Sequence, residues 1–427
     1  MIIVSIPADL DTSEIVFKEN EWVEYRLDLQ EKPGNIDSLS INEKTILTWK
    51  IDQNQTDQYQ KKTNVLKQSI RKYNCLGDVE LENYADFKDI SDHIILSVHQ
   101  DDFNEEHIKE TLESFKEKSA RYYKLAVKAD TYKELMCLKE LTRDFPSPLF
   151  VLSTGKLSYF SRIMFSYLNS VGTYVGIEDH LTAENQISRD FFYMTRADQI
   201  NADSLIGGLL GGSQIYRSIG FKLYNSWLRP VEEKAFYLPF YTEEIEDFIY
   251  FVMNSGLRFY GFSITMPFKY MPGRSFPVNY FITTRSRYGN TDVVAFKDGF
   301  EKLQLKNGQK ILIVGSGATA ESALIALSEY EFDLSGVRLF GRNTARIKGL
   351  NSQYELKIYD PSEKQFDLLI NCTPIGAKGE NIADYIGCIR YDKVIDLPYI
   401  FKMKTLLSQS VEEKNCFNGV EFWFSQA

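Results

Sequence analysis

Two lysines in this chain stand in settings that suit reaction chemistry. Lys124 lies in the apolar run Tyr122-Tyr123-Lys124-Leu125-Ala126-Val127, and Lys269 ends the segment Ile264-Thr265-Met266-Pro267-Phe268-Lys269. Partial burial lowers the pKa of an amine, and the neutral form can condense with a ketone to give an imine. A lysine that is polarised by a carboxylate can instead donate a proton to a developing alkoxide. The chain therefore offers two separate candidate reaction centres.

Three residues upstream of Lys124 could serve as its partners. His99, in Ser97-Val98-His99, can shuttle protons because an imidazole titrates near neutrality. Glu24 and Arg26 are two positions apart and therefore share one face of their predicted strand. The same spacing suits a structural ion pair, and a lone strand lysine is commonly a snorkelling edge residue. The company of His99 favours the catalytic interpretation of Lys124.

Eight short apolar or β-branched runs alternate with polar, helix-like stretches in the first 200 residues or so. The runs lie at 2–6, 23–29, 45–49, 76–81, 93–99, 122–127, 149–152 and 173–177. Strands that alternate with helices imply a parallel sheet, and eight such units in this length predict a compact (β/α)8 barrel. Chemistry in such barrels collects at the C-terminal ends of the strands. Five candidate side chains fall at or near those ends: Arg26, Lys50, Glu80, His99 and Lys124.

The second half of the chain reads as two further α/β domains. A smaller unit is predicted at 202–296, after a barrel at 1–201, and a doubly wound nucleotide domain is predicted at 297–427. The nucleotide domain has the order strand, glycine turn, helix, strand. Its loop Val314-Gly315-Ser316-Gly317-Ala318-Thr319-Ala320 precedes an alanine-rich helix, so that backbone N–H groups could meet a pyrophosphate.

The strand after the glycine loop indicates which dinucleotide is bound. It ends in Leu339-Phe340-Gly341-Arg342-Asn343 and lacks the acidic residue that would accept from a ribose hydroxyl. Arg342 and Arg346 instead favour the 2′-phosphate of NADP. The alternative is a solvated basic turn, which the glycine loop upstream disfavours. NADP(H) is therefore the predicted cofactor.

Composition narrows the range of partners and locations. The chain has 427 residues, 44% of them hydrophobic, which is enough for two or three cores. A formal net charge of −10 argues against nucleic acid or an anionic membrane as a partner, because both attract positive surfaces. Five scattered cysteines and four histidines suggest no metal site and indicate reduced thiols in the cytoplasm. No membrane span is predicted, and the sequence leaves the oligomeric state open.

Residues 1 to about 200 resemble type I 3-dehydroquinate dehydratase, a barrel enzyme that forms an imine between a lysine and its substrate ketone. The family's E-x-R-x-D, S-x-H and K-I-A-V segments are matched by Glu24-Tyr25-Arg26-Leu27-Asp28, Ser97-Val98-His99 and Lys124-Leu125-Ala126-Val127. The resemblance implies that Lys124 forms the imine and that His99 moves protons. It assigns substrate contacts to six residues: Glu24, Arg26, Lys50, Arg162, Thr182 and Gln186.

Departures from the barrel family bear on substrate affinity. Thr48-Trp49-Lys50 stands where the family has T-F-R, so that a point charge replaces a planar bidentate fork. The family's active-site glutamate is not evident in Ile51-Asp52-Gln53-Asn54. The S-A-P-G-Q loop appears as Thr182-Ala183-Glu184-Asn185-Gln186, without its proline and glycine. Weaker substrate binding is therefore expected.

The second half resembles shikimate dehydrogenase, which implies an α/β substrate domain followed by a Rossmann-like NADP domain. The motif matches are Ser263-Ile264-Thr265-Met266-Pro267-Phe268-Lys269, Asn290-Thr291-Asp292, Asn371-Cys372-Thr373-Pro374-Ile375-Gly376 and Val394-Ile395-Asp396-Leu397-Pro398-Tyr399. The resemblance implies that Lys269 and Asp292 move the hydroxyl proton while a nicotinamide exchanges hydride. Its substrate residues are Ser218, Thr265, Asn279 and Gln426. Its cofactor residues are Gly315, Ser316, Gly317, Ala318, Thr319, Ala320, Arg342, Asn343, Arg346 and Thr373.

The dehydrogenase half also departs from its family. Ser218 persists in the S-x-S substrate clamp, but Gly220 replaces the second serine, and Val293 stands where a glycine usually follows N-T-D. A changed substrate preference, such as quinate in place of shikimate, is therefore an open alternative.

Together the two resemblances imply one bifunctional enzyme for small anionic cyclohexane and cyclohexene carboxylates. It would dehydrate 3-dehydroquinate and reduce the resulting 3-dehydroshikimate to shikimate with NADPH. One alternative is a quinate or shikimate dehydrogenase with a decayed barrel, which Lys50 suggests. Another is a non-catalytic sensor of shikimate-like metabolites. The joint presence of Lys124, His99, Lys269 and Asp292 argues against the sensor.

Overall fold

The computed structural model describes residues 1–29, 36–51, 56–398 and 403–427. The backbone divides into two compact units, Met1–Phe262 and Ser263–Ala427. The three-domain division at 1–201, 202–296 and 297–427 stays a prediction. Within the described ranges, no helix combines the length and the apolar character that a membrane crossing requires.

The first unit begins with eight parallel strands that form a nearly closed barrel. The strands are β1 (Ile2–Pro7), β2 (Glu21–Arg26), β3 (Thr45–Thr48), β4 (Leu76–Glu80), β5 (Ile94–Gln100), β6 (Tyr122–Val127), β7 (Leu149–Ser153) and β8 (Thr173–Gly176). Neighbouring strands follow chain order from β1 to β7, and β8 returns to pair with β1. Near the seam between β7 and β8, the amide of Val171 donates to the carbonyl of Leu149 at 3.0 Å. The predicted (β/α)8 architecture is confirmed.

Strand periodicity builds the inside of this barrel in two layers. A lower layer of apolar side chains fills one end: Ile3, Ile46, Leu76, Ile95, Phe150, Leu152 and Tyr174. Successive inward positions on a strand are two residues apart, so the next inward position on several strands lies nearer the C-terminal end. Those positions are polar: Ser5, Thr48, Asp78 and Ser97. The sequence therefore places its polar chemistry above an apolar floor.

Helices cover the outside of the barrel between the strands. They are α1 (Thr56–Tyr73), α2 (Tyr84–Phe87), α3 (Glu105–Lys116), α4 (Tyr132–Thr142), α5 (Ser158–Ile163) and α6 (Arg189–Met194). Capping residues fix where two of them start: Asn104 accepts from first-turn amides of α3, and Thr131 forms a capping box with Glu134 on α4.

The first unit continues beyond the barrel. The added elements are β9 (Leu205–Gly211), α7 (Gly220–Leu228), β10 (Ala235–Tyr241), α8 (Ile245–Asn254) and the start of β11 (Arg258–Ile264). Strand β9 lies between β10 and β11, and β9 and β10 run parallel. A group of five rings, here called the aromatic cluster, joins these elements to α4 and α5: Tyr132, Phe160, Phe240, Phe248 and Phe251. Barrel and following elements thus share apolar packing.

The second unit contains a short antiparallel pair and a parallel sheet. The antiparallel strands are β12 (Tyr280–Ile282) and β13 (Arg287–Gly289). The parallel strands are β14 (Ile311–Val314), β15 (Val337–Phe340), β16 (Leu368–Asn371), β17 (Lys393–Asp396) and β18 (Cys416–Asn418). The helices are α9 (Thr291–Lys302), α10 (Ala318–Glu329), α11 (Thr344–Gln353), α12 (Ala383–Ile386), α13 (Leu406–Gln409) and α14 (Gly419–Gln426).

The parallel sheet has the order β15-β14-β16-β17-β18. The chain therefore leaves β14 toward one side, to β15, and then crosses to the other side, to β16. Open α/β sheets bind ligands at the carboxyl ends of the strands where this reversal occurs. The predicted Rossmann-like fold is confirmed, and the glycine loop follows the strand at which the order reverses.

Candidate active sites

A cavity of about 660 Å³ opens at the C-terminal ends of the barrel strands. All eight residues predicted for the barrel site line it: Glu24, Arg26, Lys50, His99, Lys124, Arg162, Thr182 and Gln186. They come from strands β2, β5 and β6, from the segment after β3, from helix α5 and from the loop after β8, so the barrel fold brings them together.

Lys124 lies in the wall of this cavity with only 7% of its surface exposed. Its Nζ donates to Oδ2 of Asp78 at 2.6 Å, and Oδ1 of Asp78 accepts from Ser97 Oγ at 2.5 Å. Burial acts to lower the pKa of Lys124, but the charges of Asp78 and Glu24 act in the opposite direction, and the net shift is upward. The expectation that the apolar strand lowers this pKa was wrong, because β4 and β2 contribute carboxylates to the inside of the barrel.

Glu24 and Arg26 point into the cavity but do not pair with each other. The Glu24 carboxylate accepts from Thr48 Oγ1 at 2.6 Å and from the hydroxyl of Ser5. Arg26 forms a bidentate pair with Asp28, with N···O distances of 3.0 and 2.6 Å. Arg26 therefore forms its ion pair with Asp28 and not with Glu24.

His99 stands on the same inner face as Lys124. Ser97 of β5 is in register with Lys124 of β6, and His99 is two residues farther along β5. The Nδ1 of His99 lies 3.0 Å from Glu80 Oε1. A carboxylate in this position orients the imidazole. The arrangement suits a residue that accepts and returns a proton.

Arg162 and the loop after β8 shape the rim. Arg162 is 3% exposed, and its guanidinium donates to the carbonyls of Ser153 at 2.8 Å and Tyr174 at 3.1 Å, which bridges β7 and β8. Burial lowers the pKa of Arg162 to about 10. In the loop, Gln186 Oε1 accepts from the amide of Thr182 at 2.9 Å. Lys50, just after β3, is exposed at the mouth.

In the second unit, Lys269 pairs with Asp292. The carboxylate is 1% exposed, and its Oδ1 accepts from Asn279 Nδ2 at 2.9 Å. Asn279 Oδ1 accepts from the amide of Thr291 at 2.8 Å, which fixes the amide orientation. Lys269 Nζ also lies 3.4 Å from Thr319 Oγ1, in the first turn of α10. The predicted dyad thus lies beside the start of the helix that follows the glycine loop.

The three remaining residues predicted to bind substrate in the dehydrogenase-like part are Thr265, Gln426 and Ser218, and each lies in a different segment of the chain. Thr265 directly follows β11, and its carbonyl accepts from the amide of Phe268 at 3.0 Å. Gln426 ends α14 and is half-buried. Ser218 belongs to the first unit, where its Oγ accepts from the amide of Gly220 at 3.1 Å.

The glycine loop leaves an open cradle at the start of α10. Gly315 has a φ of +125°, which L side chains rarely adopt. Within the described ranges, a Cβ at Gly317 would have no heavy atom within 4 Å, and no side chain caps α10 there. Uncapped first-turn amides and the helix dipole attract an anion. The segment from Gly315 to Ala320, which includes Ser316 and Ala318, therefore fits a pyrophosphate.

The two arginines after β15 have different surroundings. Arg342 is exposed and makes no ion pair or hydrogen bond within the part of the chain that the structure describes. The guanidinium of Arg346 instead contacts the Glu321 carboxylate and the Tyr270 hydroxyl. The idea of two unpaired cations therefore needs correction, because the buried Glu321 neutralises one of them. Asn343 caps α11, where its Oδ1 accepts from the Arg346 amide at 3.0 Å.

Thr373 follows β16 at the carboxyl edge of the parallel sheet. Its Oγ1 donates to Asn371 Oδ1 at 2.7 Å, and Asn371 Nδ2 donates to Asp396 Oδ1 at 2.8 Å. Burial raises the pKa of Asp396. This network connects the segment from Asn371 to Thr373 to β17. The segment lies beside Gly315, because a Cβ at Gly315 would lie 3.2 Å from Cys372.

Comparisons with known proteins bear on both halves. The family model of type I 3-dehydroquinase matches residues 11–190. The shikimate biosynthesis protein AroDE of Chlamydia muridarum is 26% identical over 278 residues, which is 60% of this chain and 56% of that protein. The chain thus spans little more than half the length of that relative. The shikimate dehydrogenase (NADP(+)) of Clostridium botulinum is 28% identical over 251 residues, which is 52% of this chain and 92% of that protein.

A shikimate dehydrogenase-like protein of Haemophilus influenzae is 31% identical over 194 residues, which is 42% of this chain and 69% of that protein. The chain belongs to the shikimate dehydrogenase-like family. With the match at its N-terminal end, it joins a type I 3-dehydroquinase domain to a shikimate dehydrogenase-like part.

Sequence reasoning missed the carboxylates that complete the dehydroquinase-like cavity. Asp78 was not named as a site residue, and Glu80 was noted only for its place at a strand end. The segment Asp78-Val79-Glu80 could have indicated them, because its two acidic residues are two positions apart at the end of β4 and therefore face the same side of the strand. Tyr399, the last residue of the 394–399 motif, and residues 52–54, where the family's glutamate is not evident, lie outside the described residues.

Proposed function

We propose that this chain catalyses two consecutive reactions. The barrel removes water from 3-dehydroquinate through an imine, and the shikimate dehydrogenase-like part reduces the resulting 3-dehydroshikimate to shikimate with NADPH. The observation that carries the proposal is the position of Lys124, a buried amine in a 660 Å³ cavity that also contains the His99–Glu80 pair. The match of residues 11–190 to type I 3-dehydroquinase supports the first step, and the likeness to the shikimate dehydrogenase (NADP(+)) of Clostridium botulinum supports the second.

In the barrel, Lys124 must lose a proton before it attacks the substrate ketone. Asp78 Oδ2, 2.6 Å from Nζ, is the nearest acceptor. Condensation releases one water and leaves an iminium, which acidifies the neighbouring carbon. His99 then takes a proton from that carbon and returns it to the departing hydroxyl, which leaves as water. Hydrolysis of the imine consumes one water and frees the lysine, so the net reaction releases one water.

The cavity also has groups for the substrate carboxylate. The exposed ammonium of Lys50 offers a point charge at the mouth. Arg162 holds the β7–β8 seam through its bonds to backbone carbonyls and contributes positive charge to the wall. Thr182 and Gln186 bring a hydroxyl and an amide from the loop above. We assign the carboxylate to this side of the cavity.

In the second unit, Lys269 donates the proton that turns a ketone into an alcohol. Asp292 pairs with its ammonium and is itself held by Asn279, and the near-complete burial of Asp292 strengthens the pair. NADPH would be held by the 315–320 loop at its pyrophosphate and by Arg342 at its 2′-phosphate. When bound, it supplies the hydride. Thr319, a residue of this loop, lies 3.4 Å from Lys269 Nζ, so the cofactor loop adjoins the proton donor.

The decisive experiment is to add 3-dehydroquinate alone to the chain and NADPH. Only a protein with both activities can convert 3-dehydroquinate and NADPH into shikimate, so we expect NADPH oxidation after a short lag with shikimate as the product. Direct formation of quinate would instead identify a quinate dehydrogenase. Absence of oxidation, with a normal rate on added 3-dehydroshikimate, would identify a dehydrogenase with an inactive barrel. Binding of both compounds without any turnover would identify a metabolite sensor.

A second measurement tests the imine directly. Borohydride with 3-dehydroshikimate should add the mass of the reduced product to the peptide that contains Lys124. An unmodified Lys124 under conditions of full turnover would refute the imine. The cytoplasmic location, and the absence of nucleic-acid and membrane partners, stay predictions.

A further inference from the structure

Helix α4 begins four residues after the strand that carries Lys124, and its first turn is capped from two sources. One source is local: Thr131 Oγ1 accepts from the Glu134 amide at 3.2 Å, and Glu134 Oε2 accepts from the amides of Asp130 and Thr131 at 2.7 and 3.0 Å. This capping box leaves the amides of the first two helical residues without an acceptor from the barrel.

The second source is Asp247, on helix α8 beyond the barrel. Its Oδ2 accepts from the Tyr132 amide at 2.7 Å, and its Oδ1 accepts from the Lys133 amide at 3.2 Å. Asp247 is 6% exposed and lies in the first turn of its own helix. One buried carboxylate thus neutralises the positive ends of two helices.

The aromatic cluster keeps water away from this cap. Tyr132 is fully buried, and its ring stacks on Phe251 with centroids 4.6 Å apart and packs edge-on against Phe248 at 5.7 Å. Without the carboxylate, the two amides would be buried with no acceptor, which is energetically unfavourable. The first turn of α4 would then have to shift toward water.

The capped turn is connected to the rim of the dehydroquinase-like cavity. Asp130, directly before the cap, lines the cavity, and its Oδ1 accepts from the Lys156 amide at 2.7 Å. Lys156 also lines the cavity, and its Nζ lies 2.5 Å from Glu243, two residues before α8. The elements that follow the barrel therefore hold two loops of the cavity mouth.

We infer that Asp247 is a positioning residue for the barrel reaction, although it lies outside the barrel and does not reach the cavity. It fixes the loop after β6, so that Asp130 and Lys156 hold the rim in a shape that binds substrate. The inference rests on the proposed dehydratase function. It means that the dehydroquinase-like site depends on a residue from the shikimate dehydrogenase-like part.

The test compares Asp247→Ala with Glu246→Ala in the full chain. Glu246 is the exposed neighbour of Asp247 on α8 and caps no helix among the residues that the structure describes. We expect Asp247→Ala to raise the KM for 3-dehydroquinate at least fivefold, whereas the KM and kcat for 3-dehydroshikimate reduction change less than twofold. Asp247→Asn keeps one acceptor oxygen and should give an intermediate KM.

Hydrogen exchange gives a readout that does not depend on turnover. The amides of Tyr132 and Lys133 should exchange at least tenfold faster in Asp247→Ala than in Glu246→Ala. Unchanged exchange, an unchanged KM, or an equal loss of both activities would overturn the inference. A wild-type chain without dehydratase activity would overturn the proposed function and the inference together. An active wild type with unaffected variants would overturn the inference alone.

Discussion

Lys124 and Lys269 each donate to a carboxylate that is at least 95% buried, Asp78 and Asp292. Taking both charges out of water together is tolerated because each neutralises the other, and loss of one partner leaves a costly lone charge. The Asp78 carboxylate also sets the resting state of Lys124. It raises the pKa of this lysine, so Lys124 must give up a proton before it can attack a ketone.

Replacing Asp78 with Asn should shift the pH dependence of imine formation. The pKa of Lys124 is raised because Asp78 and Glu24 outweigh burial, so removal of the Asp78 charge moves that pKa downward. The neutral amine then appears at lower pH. Borohydride trapping with 3-dehydroshikimate across a pH series should therefore have its midpoint at lower pH in Asp78→Asn than in the wild type.

The control for this series is Asp101→Asn. Asp101 is an exposed carboxylate that lines the same cavity. Its charge is well solvated, so the midpoint should stay near that of the wild type. Equal midpoints in the two variants would mean that Asp78 does not control the protonation of Lys124.

Replacing Lys269 with Ala should remove the proton donor and leave the cofactor site intact. A positioned general acid contributes about 10²–10⁴-fold to a rate, so kcat for 3-dehydroshikimate reduction should fall by at least about 10²-fold. The dissociation constant for NADPH, measured by fluorescence titration, should change less than about threefold. The control is Lys297→Ala. Lys297 lies on the same helix as Asp292 and pairs with Glu329, so its loss should leave kcat unchanged. If Lys269→Ala reduces the ketone at the wild-type rate, another group is the acid.

The sequence predicted the reactive side chains of the candidate sites but not every carboxylate that pairs with them. Lys124 and His99 stand in short motifs, so their types and spacing are visible in the chain. Asp78 is 46 residues from its partner, and Glu321 is 25 residues from Arg346. Such pairs form only when strands and helices become neighbours, and no local spacing reveals them.

At the scale of elements, the barrel strands were predictable because each is a short apolar run between polar helices. Strand β2 differs most: the predicted run at 23–29 begins two residues late and continues through a 3-10 turn at Leu27–Leu29. The strand begins with the polar residue Glu21, so an apolar run does not mark its first residues. Glu21 is buried there because it pairs with Arg189, a contact 168 residues away.

The glycine loop allows a prediction that separates folding from binding. Gly317 has a φ of −84° and ψ of −173°, an extended conformation that alanine accepts, and open space surrounds its Cβ position. Gly317→Ala should therefore change the free energy of unfolding by no more than about 1 kcal/mol, in the stabilising direction. The methyl group would occupy the pyrophosphate cradle, so the dissociation constant for NADPH should rise at least tenfold.

Gly349→Ala is the matched control for the glycine loop. Gly349 lies in helix α11 and also has no heavy atom within 4 Å of a Cβ position. Alanine there should stabilise the helix by up to about 1 kcal/mol and leave NADPH binding unchanged. Wild-type affinity in Gly317→Ala would show that the cradle does not hold the pyrophosphate.

At the scale of the whole molecule, the first compact unit extends well past the barrel, to Phe262. The sequence pattern placed a boundary at 201/202 because the barrel template was complete there. The contacts that bind α8 to α4 are between aromatic side chains more than 100 residues apart. A hydrophobic pattern identifies which residues are buried but does not identify their partners.

Truncating Phe251 should therefore weaken the barrel as well as its own helix. Phe251 is fully buried, stacks on Tyr132 and packs edge-on against Phe160 with centroids 5.4 Å apart. Phe251→Ala should lower the free energy of unfolding of the first unit by about 3–5 kcal/mol. Hydrogen exchange in the intact chain should accelerate in α4 and α8 together, because both helices lose the same packing.

Met253→Ala, on the same helix, provides the comparison for Phe251→Ala. Met253 is 78% exposed, so its truncation should change neither stability nor exchange measurably. If Phe251→Ala accelerates exchange in α8 while α4 keeps its wild-type protection, the barrel unfolds independently of the elements that follow it. The boundary predicted at 201/202 would then describe the folding units better than the division at Phe262.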